Sequence, residues 1–152
     1  PALMNPAPYD ATTAFTPLAF VASDANGVFI NAAIPARTMD ELIAWIRAQP
    51  NPVPYASSGA GTPGHLGFEL MARARDLRMT HVPYRGAAPA AADVVAGNAA
   101  MVFTSMVVGR GLADAGRLRL LGVSARARLP EYPDVPTLRE AGLEAMEVPI
   151  WY

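Results

Sequence analysis

The residues best equipped for chemistry lie together in Tyr55-Ala-Ser-Ser-Gly-Ala-Gly-Thr-Pro-Gly-His65. Ser57, Ser58 and Thr62 supply hydroxyls, Gly59, Ala60 and Gly61 supply lightly shielded backbone amides, and His65 supplies an imidazole. A short apolar run enters this stretch and a helical pattern leaves it, with Thr62 suited to an N-cap and Pro63 to the first helical position. Loop amides at the positive end of a helix favour an anion, and a small carboxylate is the anion expected here. Two other chemistries compete. Gly59-x-Gly61-x-x-Gly64 matches a dinucleotide fingerprint, with Arg85 after the next strand placed for a 2′-phosphate. Against it, Pro52 and Pro54 interrupt the entering strand, Pro63 falls inside the motif, and Val82-Pro-Tyr84 offers no carboxylate for a ribose. Hydrolysis by Ser58 with His65 lacks a G-x-S-x-G elbow and an orienting acid. His65 and Glu69 stand four apart, but two ligands make no metal site. The plainer expectation is that Glu69 pairs with Arg73 and His65 hydrogen-bonds near the loop. Arg85 suits bidentate capture of a carboxylate. It equally suits tying loop carbonyls together, and both roles stay open.

Elements must hold these residues in place. Residues 1–17 hold four of the fifteen prolines and read as an extended connector. The spacing then predicts a strand over Leu18–Ser23, a turn at Asp24–Gly27 and a strand at Val28–Ile30. A capping box at Thr38 and Glu41 opens a helix with Met39, Leu42, Ile43 and Ile46 on one face. Further strands are expected at Val53–Ala56, Met79–Val82, Ala100–Phe103 and Leu118–Val123. Helices are expected over Pro63–Arg75 (with Leu66, Leu70 and Met71 as its apolar stripe), Ala88–Ala96 and Val107–Ala115. A short capped helix should begin at Thr137 and end at Gly142. This alternation predicts an α/β layer structure with a largely parallel sheet flanked by helices. Ligands of such sheets sit beyond the carboxyl ends of the strands. The loops there are Ser57–Thr62, Pro83–Gly86 and Thr104–Met106, which makes Arg85 the one cation expected near the crevice. Trp45, Trp151 and the methionines are expected to be core or lobe contacts.

The totals narrow the classes. The chain has 152 residues, 52% hydrophobic and 16% charged, enough for one packed core. Its net charge of −1 comes with scattered basic residues, so no nucleic-acid partner is expected. No apolar run reaches the roughly 18 residues of a membrane span, so no direct insertion is expected. The absence of cysteine removes disulfides and thiolate metal sites, and no metal or cofactor is expected. Pro1 opens without a methionine and Trp151-Tyr152 closes on two large rings, which suggests a piece of a longer protein with any signal peptide outside it.

Three stretches resemble one family. Tyr55 to Leu66 is similar to the glycine-serine loop of the Bug/TctC-type solute receptors of tripartite tricarboxylate transporters. His81-Val-Pro-Tyr-Arg-Gly86 followed by Pro89 resembles their HVPYRG signature. Gly116-Arg-Leu-Arg-Leu-Leu-Gly-Val-Ser124, Leu129 to Thr137, and Glu140-Ala-Gly142 resemble their return segment. Tyr9-Asp10 to Phe15-Thr-Pro17 resembles the lead into the second lobe.

The resemblance implies an extracytoplasmic, periplasmic receptor of about twice this length. Its two periplasmic-binding-protein-like lobes would close on a small carboxylate and deliver it to a membrane permease, with no catalysis. Residues 1–24 would be the lead-in from the first lobe and hinge, 25–122 the second α/β lobe, and 123–152 the return segment. Ser57, Ser58, Gly59, Ala60, Gly61 and Thr62 would offer N–H and hydroxyl donors to the carboxylate, which loop backbone groups and bridging waters would hold between the lobes. His65 would brace the loop, Arg85 would fix it or add charge, and Thr104 and Ser105 would line the side that selects the ligand's far end. The family commonly has Phe-Asp-Asn where this chain has Phe103-Thr-Ser105. That removes an acid for an ammonium group and favours a plain or hydroxylated carboxylate over an amino acid. Gly64 stands where the family has a polar residue, at the expected loss of one contact.

Overall fold

The computed structural model describes residues 8–10, 13–147 and 150–151, the last two by their backbone alone. Strand β1 (Ser23–Asp24) is followed at once by β2 (Asn26–Asn31), in which Val28, Phe29 and Ile30 have no exposed surface. Helix α1 (Met39–Arg47) buries Met39, Leu42, Ile43 and Ile46, the face its 3.6-residue period predicts. Next, β3 (Val53–Ser57) leads through the glycine-rich loop into α2 (Pro63–Arg75). Strand β4 (Met79–Pro83) leads into α3 (Ala87–Ala96), and β5 (Met101–Ser105) runs directly into α4 (Met106–Asp114). Strand β6 (Leu118–Val123) completes the main sheet, and β7 (Ile150–Trp151) pairs antiparallel with β1.

The main sheet has the order β4-β3-β5-β2-β6. Strand β3 is parallel to β4 and β5, while β2 is antiparallel to β5 and β6. The sheet is therefore mixed: β3, β4, β5 and β6 point one way and β2, between β5 and β6, runs against them. Helices cover both faces. Met39, Leu42, Phe68 and Met71 from α1 and α2 pack on one side. Ala90, Val94 and Met106 from α3 and α4 pack on the other with Phe29 and Val102. Burial of a ring such as Phe68 or Phe103 contributes about 1.5–3 kcal/mol, so this three-layer core holds the carboxyl ends of β3, β4 and β5 as one rigid edge.

Several expectations change at element ends. Residues 18–22 are irregular rather than a strand, and Leu18, Phe20 and Val21 are exposed. No turn forms at Asp24–Gly27, because Asn26 and Gly27 already pair with Ser105 and Thr104. Thr38 caps the Glu41 amide at 3.1 Å, but Glu41 reaches back to the Arg37 amide, not to Thr38. The reciprocal box appears instead at Thr137 and Glu140, where each side chain accepts from the other's amide. It closes turns rather than the expected helix, and one 3-10 turn follows at Glu144–Met146. On α2 the inward residues are Gly64, Gly67, Phe68 and Met71, while Leu66 and Leu70 face out. Trp45 packs half-buried against the core, with Met39, Met71, Met101 and Met146 buried in it. Pro1 and Pro6 of the expected connector, and the side chains of Trp151 and Tyr152, lie outside the described residues.

Candidate functional site

The glycine-rich loop keeps its shape through its own hydrogen bonds. Ser57, with no exposed surface, accepts from the Gly59 amide at 3.1 Å and lies 3.0 Å from the Gly59 carbonyl. Thr62 occupies the N-cap of α2 without capping it; its hydroxyl donates to the Gly59 carbonyl at 2.7 Å. The Gly61 amide donates to Nδ1 of His65 at 3.0 Å, which braces the loop from inside the first turn of the helix. Gly59 at φ 136° and Gly61 at φ 78° need glycine, since both lie where side chains clash with the backbone. The amides of Gly59 and Gly61 are thus engaged internally, and so is that of Thr62, which donates to the Gly59 carbonyl. Ser58 is half-buried with no hydrogen bond to its hydroxyl among the described residues, and Ala60 is exposed. They are the two loop positions without an internal hydrogen bond among the described residues. With three amides committed, the motif is a poor cradle for a pyrophosphate, which needs free amides.

Beneath the loop lies an aromatic stack that sequence reasoning missed. His81 of β4 faces Tyr55 of β3 in register, with ring centroids 5.2 Å apart. It also stacks on His65 at 4.0 Å, and its Nε2 lies 2.6 Å from the Ser57 hydroxyl. Tyr55 donates to Glu69 at 2.6 Å, so Glu69 serves the stack instead of pairing with Arg73. Burial first, then this bond, pushes the Tyr55 hydroxyl pKa far up. Burial lowers the His81 pKa and the neighbouring His65 lowers it further, while Glu69 pulls the other way. Ser57 and His81 resemble a nucleophile and its base, yet Ser57 is sealed from any substrate and Glu69 is spent on Tyr55. The signal was present: both histidines of the chain lie in the motif stretches, and Tyr55 and Ser57 share strand parity. The β3–β4 register was needed to join them.

Two loops meet at this edge, beside the direct passage from β5 into α4. The Tyr84 amide donates to the Ser57 carbonyl at 2.9 Å, tying the β4–α3 loop to the β3–α2 loop. Tyr84 in turn donates to Asp93, a bond that pushes its pKa up to about 12 and fastens the loop to α3. Arg85 is exposed, with no hydrogen bond or ion pair among the described residues. It is not the one cation there. Arg126, beyond β6, is also exposed and lines a cavity of about 620 Å³ with Ser124, Arg139 and Glu147. Thr104 and Ser105 end β5 rather than forming a loop; Thr104 is buried opposite Gly27. Ser105 caps α4 through the Val107 amide and donates to Asp24, so an acid reaches this spot from another strand. Gly64 carries no contact-making side chain for a reason: a Cβ there would stand 2.5 Å from the Phe103 carbonyl. A further cleft, about 650 Å³, lies at the opposite edge among Pro35, Trp45, Pro52, Pro54 and Ala100, and no ionisable group lines it. Helices α2, α3 and α4 all start at the loop-bearing edge, each bringing about half a positive charge. Among the described residues no group of three or more metal-ligating side chains occurs, and no helix is long and apolar enough to cross a membrane.

A three-layer α/β unit with polar loops and helix N-termini gathered at one sheet edge defines a ligand-binding lobe of the periplasmic-binding-protein kind. The comparisons give the family: the tripartite tricarboxylate transporter family receptors (TctC) match residues 1–152, and the chain belongs to that family. A protein from the tcbD-tcbE intergenic region of Pseudomonas sp. strain P51 is 37% identical over 145 residues, 95% of this chain and 43% of that protein. Among solved structures, R. palustris Rpa4515 with adipate superposes with a TM-score of 0.86 at 31% identity, covering 94% of this chain and 48% of that one. MatC (Rpa3494) from Rhodopseudomonas palustris with bound malate gives 0.81 at 26% identity, covering 90% and 47%. The chain thus spans less than half the length of these proteins.

Proposed function

We propose that this chain is the second lobe, with parts of the first, of a periplasmic solute receptor that binds a small carboxylate and hands it unchanged to a tripartite tricarboxylate-type permease. The observation that carries the reading is the convergence of three helix N-termini and two polar loops on one sheet edge. Ligands bound to relatives support the carboxylate class, since adipate and malate occupy two of the structural neighbours. In this reading Ser58 and Ala60 offer direct donors, and Arg85 supplies charge. Ser57, Gly59, Gly61, Thr62 and His65 hold the loop in shape. Thr104 and Ser105 shape the wall toward the ligand's far end, with a plain or hydroxylated carboxylate as the expected class. Residues 25–122 form the lobe, residues 1–24 and 123–152 connect to the first lobe, and closure of the two lobes on the ligand is the signal read by the permease.

The test is a thermal-shift screen of the full-length chain against mono-, di- and tricarboxylates, amino acids and NADP(H). A ligand at about 100 times its dissociation constant stabilises by roughly 2.7 kcal/mol. Stabilisation by a carboxylate supports the reading. Stabilisation by the nucleotide alone overturns it and makes Gly59–Gly64 a phosphate loop.

A further inference from the structure

A buried carboxamide stands without a partner at the ligand edge. Asn26 is 2% exposed, and its Nδ2 is the one buried side-chain nitrogen or oxygen with no hydrogen bond among the described residues. Such an atom destabilises the folded chain, and proteins rarely keep one without a use for it. The backbone is not free to shift toward a partner. The Asn26 amide donates to Ser124 Oγ at 2.9 Å, the Ser124 amide donates to the Asn26 carbonyl at 2.8 Å, and the ladder sets Asn26 opposite Ser105. Side chains alternate along β2, so Asn26 shares the face of Val28 and Ile30, which pack with α1 and α2. The segment that carries Arg139 and Glu147 is anchored on that same face by Leu138, Leu143 and Met146.

The cavity of about 620 Å³ adjoins this carboxamide, because Ser124, bonded to Asn26, is one of its walls. Its uncommitted polar groups are donors. Ser124 accepts from Asn26 and keeps its hydroxyl hydrogen unspent among the described residues. Arg126 is exposed, with no hydrogen bond or ion pair among them. Glu147 is spent on Arg139, at 2.9 and 2.5 Å. The Arg139 hydrogen bonds hold the Glu147 carboxyl below its ordinary range and the Arg126 charge adds to this, so Arg126 faces the same space. Two guanidiniums against one carboxylate leave the cavity positive. Asp24 does not cancel that charge: it is committed to Ser105 and lines a different cavity with Met106 and Arg110, on the α4 side of the sheet. We propose that Asn26, Ser124 and Arg126 form a second anion subsite of the ligand crevice, which takes the far carboxylate of a dicarboxylate whose near carboxylate sits at Ser58 and Ala60. The inference rests on the receptor reading for that near carboxylate. Strand β5 separates β3 from β2, which puts the two subsites about 10 Å apart at the backbone. A monocarboxylate fills one subsite. A dicarboxylate fills both and gives Asn26 the acceptor that the protein does not supply. With no bond to break, the carboxamide turns about its broad χ2 to meet it.

The experiment is calorimetric titration of the full-length chain with acids of equal chain length, adipate against hexanoate and succinate against butyrate, together with the melting temperature of the ligand-free protein. A hydrogen bond to a charged group is worth about a tenfold change in affinity or more. At least one dicarboxylate should therefore bind about tenfold more tightly than its monocarboxylate counterpart. Arg126→Gln should remove that advantage and leave the monocarboxylate unchanged. Asn26→Ala and Asn26→Val should do the same, and at least one of them should melt above the wild type, since each removes a buried unpaired group. A dicarboxylate advantage that survives Arg126→Gln, or survives both Asn26 substitutions, overturns the proposal. So does an equal loss for both acids of a pair. If neither Asn26 variant melts above the wild type, the carboxamide has a structural role and the proposal falls. Monocarboxylates that bind as tightly as dicarboxylates remove the second subsite and leave the receptor reading standing. If none of the four acids binds, the subsite falls too, and the wider carboxylate screen decides the reading.

Discussion

At Ser57 a single hydroxyl meets three groups: the Gly59 amide, the Gly59 carbonyl and the His81 imidazole. The hydroxyl has no exposed surface, and removing it takes all three of these contacts away at once. Leaving a buried donor or acceptor unsatisfied costs about 1–3 kcal/mol. Ser57→Ala should therefore lower stability by about that amount in urea unfolding and weaken ligand binding through the loop. Ser58→Ala should leave stability within about 0.5 kcal/mol, since no internal bond is lost, and show itself only in ligand affinity. The contrast between neighbouring serines separates holding the loop from touching the ligand, a difference that residue type alone does not carry.

Element ends are where local chemistry and tertiary packing compete. Helix α2 stops at Asp76, which adopts φ 50°, the one described non-glycine residue in the left-handed region. Glycine carries little penalty there, and a side chain costs roughly 1–2 kcal/mol. Asp76→Gly should raise stability by about 0.5–1 kcal/mol, allowing for the extra freedom glycine adds to the unfolded chain. A melting temperature at or below that of the wild type would contradict this. The same competition explains what the sequence made legible. The period of Met39, Leu42, Ile43 and Ile46 named the buried face of α1 without help, and Pro63 marked the observed start of α2. Leu66 and Leu70 misled because glycine earns its burial through space rather than hydropathy: Gly64 and Gly67 let α2 approach Phe103, so the helix turns its small residues inward. Thr62 misled because the Gly59 carbonyl was a nearer partner than the helix amides. Strand direction was out of reach, since an antiparallel β2 and a parallel one bury the same Val28-Phe-Ile30. The stack of His65, His81 and Tyr55 depended on a register between strands that no local pattern encodes.

Taken whole, the lobe leaves an apolar stretch unpartnered among the described residues. Leu18, Phe20 and Val21 are 96%, 70% and 79% exposed, a concentration that marks a contact surface rather than ordinary scatter. Produced by itself, this chain should self-associate, and L18S/F20S/V21S should shift it toward monomer in sedimentation velocity. A wild-type chain that stays monomeric at high concentration would show that the stretch folds back on itself. The ribbon of β1 and β7 has a different consequence. Ser23 pairs with Trp151 and Asp24 with Ile150, so the polypeptide enters and leaves the lobe side by side, about 5 Å apart. A unit whose ends meet in this way is a natural cassette. It should tolerate grafting into an exposed turn of a fluorescent or enzymatic host with short linkers, because insertion there barely stretches the host's chain.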